Sequence, residues 1–429
     1  MRYRLALLTT RAVNGASRRL GRGQGTVAGG RAGLRVDPQL LQHLTRRRSV
    51  ALVTGTNGKT TTTRLLATAL GAGGNRVISN ETGSNMPPGH VAALVGDRTS
   101  TAVLEVDEIY MPRVLTATNA SVVVLLNLSR DQLDRTSEVR MIAGRWRAAL
   151  AAAPHTVVVA NADDPLVVWG AGAAATVHWV GAGMRWQLDA VGCPSCEGRI
   201  AYAPDGSWHC TNSCGLVQPT ATAWLETGGG GGSADAGGVG DVVAVWADGR
   251  RLPLPLALPG HFNQANALMA AVAAEVQGVD AATALEVMAS VSEVAGRFTT
   301  RAIDGVLARL MLAKNPAGWS ELLELVQADR GPVVVSINAR IADGADPSWL
   351  WDVPFERLAA RTVVATGDRC RDLSVRLRYA GVEHVMETDP VAAVARATAG
   401  GGVNSRPMVV DVIGNYTAFN ELLQAGVSL

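Results

Sequence analysis

One short segment near residue 55 allows this chain only a few folds. Residues 50–61 read Val-Ala-Leu-Val-Thr-Gly-Thr-Asn-Gly-Lys-Thr-Thr, which predicts a buried strand, a turn with two glycines and the start of a helix. Glycine lets the backbone approach an anion closely, and the amino terminus of a helix directs free N–H groups at it. The segment therefore predicts a phosphate-binding loop at the edge of a parallel α/β sheet.

The loop residues have separate predicted roles in binding ATP. Lys59 is expected to reach the β- and γ-phosphates, and the hydroxyl of Thr60 is expected to bind Mg²⁺. The predicted nucleotide-binding residues of the loop are Gly55, Thr56, Asn57, Gly58, Lys59, Thr60 and Thr61. The spacing G-x-x-G-K-T departs from G-x-x-x-x-G-K-[ST], which argues against Ras-like GTPases and most ATPase motors. A glycine turn with an incidental lysine is the plain alternative.

Lysine is scarce, because only Lys59 and Lys314 occur among the 39 basic residues. Arginine supplies every other positive charge. A compact ammonium suits a site into which a planar guanidinium does not fit, so both lysines are candidate site residues. Chance is the alternative at each position.

The alternation of strand, loop and helix continues along most of the chain and breaks near residues 297–301. Short apolar runs, as expected of buried parallel strands, lie at 50–53, 101–106, 122–126, 156–160, 306–312, 332–337, 362–365, 384–386 and 407–412. Helices fit 61–70, 143–152, 263–277, 317–327, 371–380 and 390–398. The fold class is therefore predicted to be α/β, with a doubly wound sheet. The predicted domains are an amino-terminal extension at 1–48 with an ordered glycine-rich loop at 21–33, an ATPase domain at 49–298 and an α/β domain at 299–429.

Four cysteines predict a metal site inserted in the ATPase domain. They form two close pairs around a predicted hairpin at Arg199–Trp208, and they are Cys193, Cys196, Cys210 and Cys214. Four thiolates on turns suit tetrahedral Zn²⁺, and filling all four positions from protein makes the zinc structural. A redox pair and incidental cysteines are the alternatives. The predicted zinc ribbon spans about 187–226, a glycine-rich loop follows at 227–240, and Cys370 is expected to be a free thiol.

Composition sets aside several other classes of protein. The net charge is only +2, so nothing in the overall balance indicates nucleic-acid binding. No run approaches the roughly 18 consecutive apolar residues of a membrane helix, and Met1–Val13 lacks the features of a signal peptide. We expect a cytoplasmic protein that could still work at a membrane surface.

The phosphate loop resembles that of the Mur ligases and folylpolyglutamate synthases, which join a carboxylate to an amine. Other segments that match this family lie at 104–108, 127–134, 161–165, 260–266 and 296–298. The resemblance implies that Glu105, with Glu108 in reserve, binds Mg²⁺ and that Asn266 and Arg297 contact ATP. Gln132 stands where the family has histidine, and no lysine lies in residues 60–313 to be carbamylated, so the family's second metal is not implied.

The chain is similar to one branch of that family, the Mur-ligase-like subunits of lipid II isoglutaminyl synthases. The cysteine insert, the missing amino-terminal substrate domain and the segments at 312–319, 343–352, 368–372 and 415–419 carry this narrower resemblance. It implies a Mur-ligase-type P-loop domain with a doubly wound sheet and a zinc-ribbon insertion, followed by a Rossmann-like α/β carboxyl-terminal domain.

The resemblance also implies an activity and partners. The activity is ATP-dependent amidation of the D-isoglutamate α-carboxylate in the lipid II stem peptide, through an acyl phosphate, at the inner face of the cytoplasmic membrane. Lys314 would neutralise the transferred phosphoryl group. A GatD-like glutaminase subunit would supply ammonia in a heterodimer, with Asp346, or else Asp343 or Asp352, completing its catalytic triad. The alternatives are an amino-acid-adding ligase and a non-enzymatic zinc-ribbon module with a degenerate nucleotide site.

Overall fold

The computed structural model describes residues 1–19, 26–80, 84–130, 139–227, 242–294, 297–327, 331–399 and 409–427. These residues form two compact units. The first is built mainly from residues 1–129 and 139–292, and the second mainly from 293–427.

The first unit carries the phosphate-loop segment in a mixed α/β fold. Its helices are α1 Arg2–Arg19, α2 Thr26–Val36, α3 Leu40–Thr45, α4 Lys59–Leu70, α5 Pro87–Leu94, α6 Met111–Thr118, α7 Val139–Ala151, α8 Pro165–Ala171, α9 His261–Val276 and α10 Ala281–Met288. Its strands are β1 Ser49–Thr54, β2 Val77–Ser79, β3 Thr101–Glu105, β4 Val122–Leu125, β5 Val157–Asn161, β6 Thr176–Gly181, β7 Ile200–Tyr202, β8 Trp208–Cys210, β9 Ala223–Thr227, β10 Val242–Trp246 and β11 Arg251–Pro253.

Nine of these strands form one sheet in the order β11-β10-β9-β6-β5-β4-β1-β3-β2. Seven neighbouring strands of this sheet pair in parallel, namely β9, β6, β5, β4, β1, β3 and β2, and β10 and β11 extend it antiparallel. Strand β1 lies between β3 and β4, and its last five residues are buried. A strand buried on both faces accounts for the unbroken apolar run in this part of the sequence. Its central position brings the carboxyl ends of three strands to the turn that follows Thr54.

The cysteine-rich segment forms a small separate sheet. Strands β7 and β8 pair antiparallel, with Ile200 opposite Cys210 and Tyr202 opposite Trp208, so the predicted hairpin is present. Strand β9 belongs to the large sheet.

The second unit is a six-stranded sheet with helices between its strands. Its strands are β12 Phe298–Ile303, β13 Val306–Leu312, β14 Val333–Ser336, β15 Val363–Thr366, β16 His384–Met386 and β17 Val409–Gly414. Its α-helices are α11 Pro316–Gln327, α12 Cys370–Tyr379, α13 Pro390–Thr398 and α14 Tyr416–Ala425. The strand order is β12-β13-β17-β14-β15-β16, and only β12 is antiparallel to its neighbour.

The predicted doubly wound α/β class is confirmed, and most predicted strands begin and end within two residues of the observed ones. One prediction is wrong, because residues 26–33 of the glycine-rich run belong to helix α2. In α2, Gly29, Gly30 and Gly33 sit where an added Cβ would collide with a neighbouring helix, so close packing explains these glycines better than a loop does. Among the described residues, none of the helices combines the length and the hydropathy that crossing a bilayer requires.

A buried ion pair stabilises the second unit. The guanidinium of Arg361 lies 3.2 Å from Asp411 Oδ2 and also donates to the carbonyl oxygens of Val326 and Gly331. Arg309 donates to the other oxygen of Asp411 at 2.7 Å. The side chains of Arg361 and Asp411 are only 3% and 4% exposed, so neither charge can be solvated if its partner is lost.

We expect Asp411→Asn to destabilise the second unit by about 3–5 kcal/mol, because a buried cation loses its counter-ion. Chemical denaturation followed by tryptophan fluorescence measures this, since Trp319 is buried in the same unit. Asp372→Asn is the matched control, because Asp372 and Arg369 form an exposed pair at 3.4 Å whose loss should cost under about 1 kcal/mol. Equal destabilisation by both substitutions would contradict the argument from burial.

Candidate nucleotide and metal sites

The turn between β1 and α4 has the backbone that a phosphate loop requires. Gly55 has φ 141° and Gly58 has φ 84°, values that side chains with a Cβ rarely adopt. Gly58 is the residue before α4, so the free N–H groups of the helix point into the turn. Thr60 is half-buried in the first turn of α4, and Thr61 is buried. The turn therefore presents backbone donors to an anion, as the sequence predicts.

The segment that follows β4 holds this loop through hydrogen bonds. Asn127 makes two hydrogen bonds with the backbone of Asn57, accepting from its N–H at 2.9 Å and donating to its carbonyl oxygen at 3.1 Å. Thr56 N donates to the carbonyl oxygen of Asn127 at 2.9 Å. The Thr56 hydroxyl donates to Ser129 O at 3.0 Å and accepts from Ser129 N at 2.9 Å. Hydrogen bonds from side chains and backbone thus hold the loop conformation.

Lys59 is buried beneath the loop, where its ammonium group contacts three oxygen atoms. Its Nζ donates to Gly55 O at 2.5 Å and Thr56 O at 3.0 Å, and it lies 3.2 Å from Glu108 Oε2. The residue is only 8% exposed. A small tetrahedral ammonium can reach all three oxygens from one point, which accounts for lysine in an arginine-rich chain.

Glu105 lies at the carboxyl end of β3, in register with Val53 on β1. Two residues that the sequence did not single out fix its backbone. Asn80 accepts from Glu105 N at 2.8 Å and donates to Glu105 O at 2.9 Å. His90 Nε2 lies 2.8 Å from the same carbonyl oxygen. Burial lowers the pKa of His90 to about 4, so the ring is neutral near pH 7 and donates this bond from Nε2.

The donor set at this edge of the sheet suits Mg²⁺. The Glu105 carboxylate and the Thr60 hydroxyl are hard oxygen donors, which Mg²⁺ prefers, and phosphate oxygens and water would complete its shell. Glu108, the reserve ligand, instead pairs with Lys59. Glu105 therefore remains the better candidate ligand of the two.

Asn266 on α9 approaches the loop from another side. It is buried, and a Cβ added to Gly58 would lie 2.6 Å from its Oδ1 atom. Asn266, a predicted ATP contact, and the phosphate loop are therefore neighbours in the first unit.

We expect Gly58→Ala to reduce kcat/KM for ATP consumption by roughly 10²-fold, because displacing a loop by about 1 Å can cost that much. The added methyl group collides with Asn266, and alanine disfavours the φ of 84° at this position. Gly206→Ala is the matched control, because Gly206 has φ 86° but no atom within 4 Å of the added Cβ. An equal loss in both variants would mean that the steric contact with Asn266 does not matter.

The four cysteines converge in the first unit. Their sulfur atoms all lie within 4.8 Å of one another. Cys193 Sγ and Cys214 Sγ are 3.6 Å apart, and Cys196 Sγ and Cys210 Sγ are 3.5 Å apart. These separations exceed the S–S bond of about 2.05 Å, whereas Zn–S bonds of about 2.3 Å place tetrahedral sulfurs about 3.8 Å apart. The geometry fits a tetrathiolate metal site, while Cys370 is a buried free thiol elsewhere.

The cysteine-rich segment, called the ribbon below (residues 192–218), packs against the turn that follows β5. Trp208 Nε1 donates to Ala162 O at 3.1 Å, and the Gln218 amide donates to Asp163 Oδ1 at 2.5 Å. The Trp208 side chain is buried in a cluster with Val168 of α8. The ribbon is therefore attached to the 161–165 turn. Asp164 of this turn accepts from Leu128 N at 2.8 Å, so the turn is joined to the segment that holds the glycine loop.

In the second unit, Lys314 follows β13 and precedes α11. Its Nζ lies 5.3 Å from the centre of the ring of Tyr416, the first residue of α14. Asn315 is buried, and its Oδ1 accepts from Gly318 N at 2.9 Å. Lys314 therefore lies at the carboxyl edge of the six-stranded sheet, where ligands of such sheets bind. Arg297 comes directly before β12 in this unit, and its carbonyl oxygen accepts from Leu312 N.

The three candidate aspartates of the second unit differ in exposure and bonding. Asp343 is buried, and its carboxylate accepts from the Thr417 hydroxyl at 2.5 Å and from Thr417 N at 2.9 Å. Asp346 and Asp352 are exposed. Asp346 Oδ1 accepts from Ser348 N at 2.8 Å, which leaves much of its carboxylate accessible. Asp343 thus has a structural role, whereas Asp346 lies on the surface.

A cavity of about 740 Å³ lies at the ends of β14, β15 and β16. Asn338, Arg340, Asp368 and Arg371 are among its lining residues. Arg340 donates to Asp368 at 2.8 Å and also to Glu421. Two carboxylates thus pair with Arg340, one of the two arginines of this cavity. Residues 131–134, which include Gln132, lie outside the described residues.

Comparisons with known proteins agree with both units. A family model described as "Mur ligase middle domain" matches residues 53–185, and one described as "MurT ligase C-terminal" matches residues 312–419. The "Lipid II isoglutaminyl synthase (glutamine-hydrolyzing) subunit MurT" of Staphylococcus aureus (strain COL) is 29% identical, over 99% of this chain and 98% of that protein. The protein of the same name from Streptococcus pneumoniae (strain ATCC BAA-255 / R6) is 28% identical, over 98% of this chain and 96% of that protein.

A solved structure supports the fold at low sequence identity. The pseudomurein peptide ligase type C from Methanothermus fervidus superposes with a TM-score of 0.66 at 19% identity, covering 90% of this chain and 80% of that one. The phosphate loop and Glu105 lie within the matched middle domain, and Lys314 and the three aspartates lie within the matched carboxyl-terminal part.

Proposed function

Because this chain belongs to the Mur ligase family and ends in a MurT-type carboxyl-terminal domain, we propose that it amidates the stem peptide of lipid II. It is an ATP-dependent ligase, and the single observation that carries the proposal is an intact phosphate loop joined in one chain to that carboxyl-terminal domain. The proposed substrate is the α-carboxylate of the D-isoglutamate residue, and the product is D-isoglutamine. Both MurT relatives, matched over nearly their whole length, carry the name of this synthase.

The chemistry begins with activation of the carboxylate. A carboxylate is a poor electrophile, so one of its oxygens attacks the γ-phosphorus of ATP, and ADP leaves. Ammonia then attacks the carbonyl carbon of the acyl phosphate, inorganic phosphate leaves, and a proton is lost from nitrogen. Such phosphoryl transfers depend mainly on positioning and charge neutralisation.

Each proposed site residue has a defined task in this sequence. The loop N–H groups and the Lys59 ammonium bind the terminal phosphates of ATP, and Asn266 and Arg297 contact the nucleotide. Glu105 and Thr60 would hold Mg²⁺, which neutralises phosphate charge when bound. Lys314 supplies positive charge to the transferred phosphoryl group. Zinc held by the four cysteines would be structural, because protein sulfurs would fill all four of its positions.

The nitrogen is proposed to come from a partner subunit, a glutaminase of the GatD type in a heterodimer. An exposed aromatic pair supports a docking surface on the second unit, because Trp351 and Tyr379 are 55% and 76% exposed with ring centres 5.4 Å apart. Aromatic side chains are enriched in protein interfaces. Asp346 lies five residues before Trp351 and is the aspartate proposed to complete the partner's triad. The complex is proposed to act at the cytoplasmic face of the membrane, where its lipid-linked substrate lies.

The decisive experiment supplies lipid II and ATP with two alternative nitrogen sources. With ammonium chloride alone, the chain should convert lipid II to a product whose mass reflects replacement of one hydroxyl by one amino group. With glutamine, the same product should require the glutaminase subunit. Mass spectrometry identifies the product, and a product carrying an added amino acid would establish an amino-acid-adding ligase instead. ATP consumption with no change in lipid II would reject the proposed substrate.

Asp346→Asn separates the two activities. Glutamine-dependent amidation should fall by roughly 10²-fold or more, as expected when a triad loses its carboxylate, while ammonium-dependent amidation should remain. Asp352→Asn is the matched control, because it removes another exposed acid from the same segment. Loss of glutamine-dependent activity in the control alone would transfer the role to Asp352.

A further inference from the structure

The first 36 residues carry a charge opposite to that of the rest of the chain. They contain eight arginines and no acidic residue, whereas the other 393 residues contain 31 basic and 37 acidic residues. The small overall charge of +2 therefore conceals a strongly basic amino-terminal segment. A basic segment of this kind attracts anionic partners, because salt screens charges only weakly when they lie closer than a Debye length.

Helix α1 has two distinct faces. Ala6, Thr10 and Asn14 are buried and point towards the first unit. The opposite face carries Leu5 and Leu8, which are 57% and 62% exposed. With 100° per residue, the exposed Ala12 continues this apolar stripe one turn further.

Exposed arginines border the apolar stripe. Arg4 and Arg11 are two helical turns apart and lie along one flank, while Arg2 lies on the other. Arg19 is exposed at the end of the helix. An apolar stripe between arginines, without acidic residues, is the pattern of a helix that lies in the interface of a bilayer. Long arginine side chains can keep their charge at the lipid headgroups while the leucines enter the acyl boundary.

The helix is fixed to the first unit, so its outer face has a defined orientation. A Cβ added to Gly29 or Gly33 of α2 would lie 2.7 Å from Thr10 O or 2.1 Å from Thr10 Oγ1, so α1 and α2 pack in close contact. The Tyr3 ring packs edge-on against His43 of α3, with ring centres 5.3 Å apart. Lipid contact at Leu5 and Leu8 would therefore hold the whole first unit at the surface.

We propose that the outer face of α1 docks on a bilayer that contains anionic lipids. This surface goes beyond the proposed reaction, since it determines where the chain lies and not what it catalyses. The occupant is inferred from charge complementarity, because exposed arginines surround the stripe and phospholipid headgroups supply the matching negative charge. A second copy of the chain is the competing occupant, and the test distinguishes it from the bilayer.

The test is co-sedimentation of the full chain with vesicles of phosphatidylcholine alone or with about one third phosphatidylglycerol. We expect binding only to the anionic vesicles, weakening as salt rises. Arg4→Gln with Arg11→Gln should weaken binding by roughly 25-fold, at about fivefold for each arginine. Leu5→Gln with Leu8→Gln should weaken it by roughly tenfold or more. Because all four side chains are exposed, thermal unfolding of both variants should match the unmodified chain.

The matched control removes two exposed arginines from other helices, by Arg113→Gln with Arg378→Gln. Vesicle binding should be retained, and an equal loss would attribute it to net charge instead of α1. Absence of binding to anionic vesicles at low salt overturns the proposal. The proposal is also overturned if the chain forms a concentration-dependent dimer and Leu5→Gln with Leu8→Gln abolishes this dimer while vesicle binding persists. ATP consumption without vesicles should be unchanged in every variant, so failure here leaves the proposed reaction untouched.

Discussion

Lys59→Met is expected to reduce ATP consumption by roughly 10²–10³-fold, the loss typical when one group that stabilises developing charge is removed. The Lys59 ammonium lies beneath the loop, 2.5 Å from Gly55 O and 3.0 Å from Thr56 O. A phosphate bound by the loop N–H groups would therefore meet this charge at short range. Methionine keeps the apolar stem and removes the charge. Release of ADP in the presence of the substrate measures the effect.

The structure adds a second consequence for this substitution. Glu108, which is 8% exposed and lies 3.2 Å from Lys59 Nζ, would lose its cation in Lys59→Met. A buried carboxylate that loses its nearest cation destabilises a fold, so lost activity could reflect lost folding. Lys59→Met combined with Glu108→Gln removes both charges and should restore the unfolding temperature without restoring ATP consumption. Recovery of ATP consumption in this double variant would show that Lys59 matters only for stability.

Lys59→Arg tests whether charge alone is sufficient. Only two of the 39 basic residues are lysine, so a general preference of this chain for lysine does not explain position 59. A planar guanidinium cannot place one donor point between the two loop carbonyl oxygens and Glu108. We expect Lys59→Arg to fold and to retain little ATP consumption. Activity near that of the unmodified chain would remove the geometric argument for lysine.

Removal of one cysteine from the cluster is expected to abolish zinc binding and to unfold the ribbon. Cys196→Ser should lower the zinc content from one ion per chain to none, because three thiolates no longer close the tetrahedral shell. Structural Zn²⁺ contributes about 10–16 kcal/mol of apparent binding energy in small zinc domains. The two strands of the ribbon have three residues each, so they are too short to be stable without the metal. Metal analysis of the purified chain measures the zinc content directly.

Loss of zinc should also weaken ATP binding at the predicted nucleotide site. The ribbon contacts the turn after β5 through Trp208 to Ala162 and Gln218 to Asp163. We therefore expect Cys196→Ser to lower the unfolding temperature and to raise the KM for ATP. Cys370→Ser is the matched control, because Cys370 is a buried free thiol outside the cluster and its variant should keep one zinc. A zinc-free chain with unaltered stability and KM would show that the cluster is incidental.

Local sequence was sufficient for the features that depend on neighbouring residues. The phosphate loop follows from a strand, two glycines and a helix start within twelve residues, and the observed φ of Gly55 and Gly58 agrees with it. The cysteine pairs were recognisable because a short hairpin brings them together. Strands buried on both faces were predicted from continuous apolar runs, since period and length are local properties.

Other features were not readable from the sequence, because they depend on contacts between distant residues. Asn80 and His90 hold Glu105 in place from 25 and 15 residues away, and no local pattern marks either of them. The glycines of α2 indicated a loop, yet they lie in a helix, where the close approach of Thr10 leaves no room for a Cβ at Gly29 or Gly33. Strand β9 joins the large sheet after the ribbon, where the predicted alternation was interrupted.

The sequence alone thus determined the backbone of the loop, the convergence of the four cysteines and the α/β class, because residue type and spacing within a few turns of chain are enough to specify them. Only the tertiary structure decided that Lys59 pairs with Glu108. It also decided that the Asp343 carboxylate is buried in hydrogen bonds while Asp346 is exposed, and that two leucines of α1 face outward. Burial and pairing are properties of the packed molecule, in which residues far apart in sequence exclude water from one another.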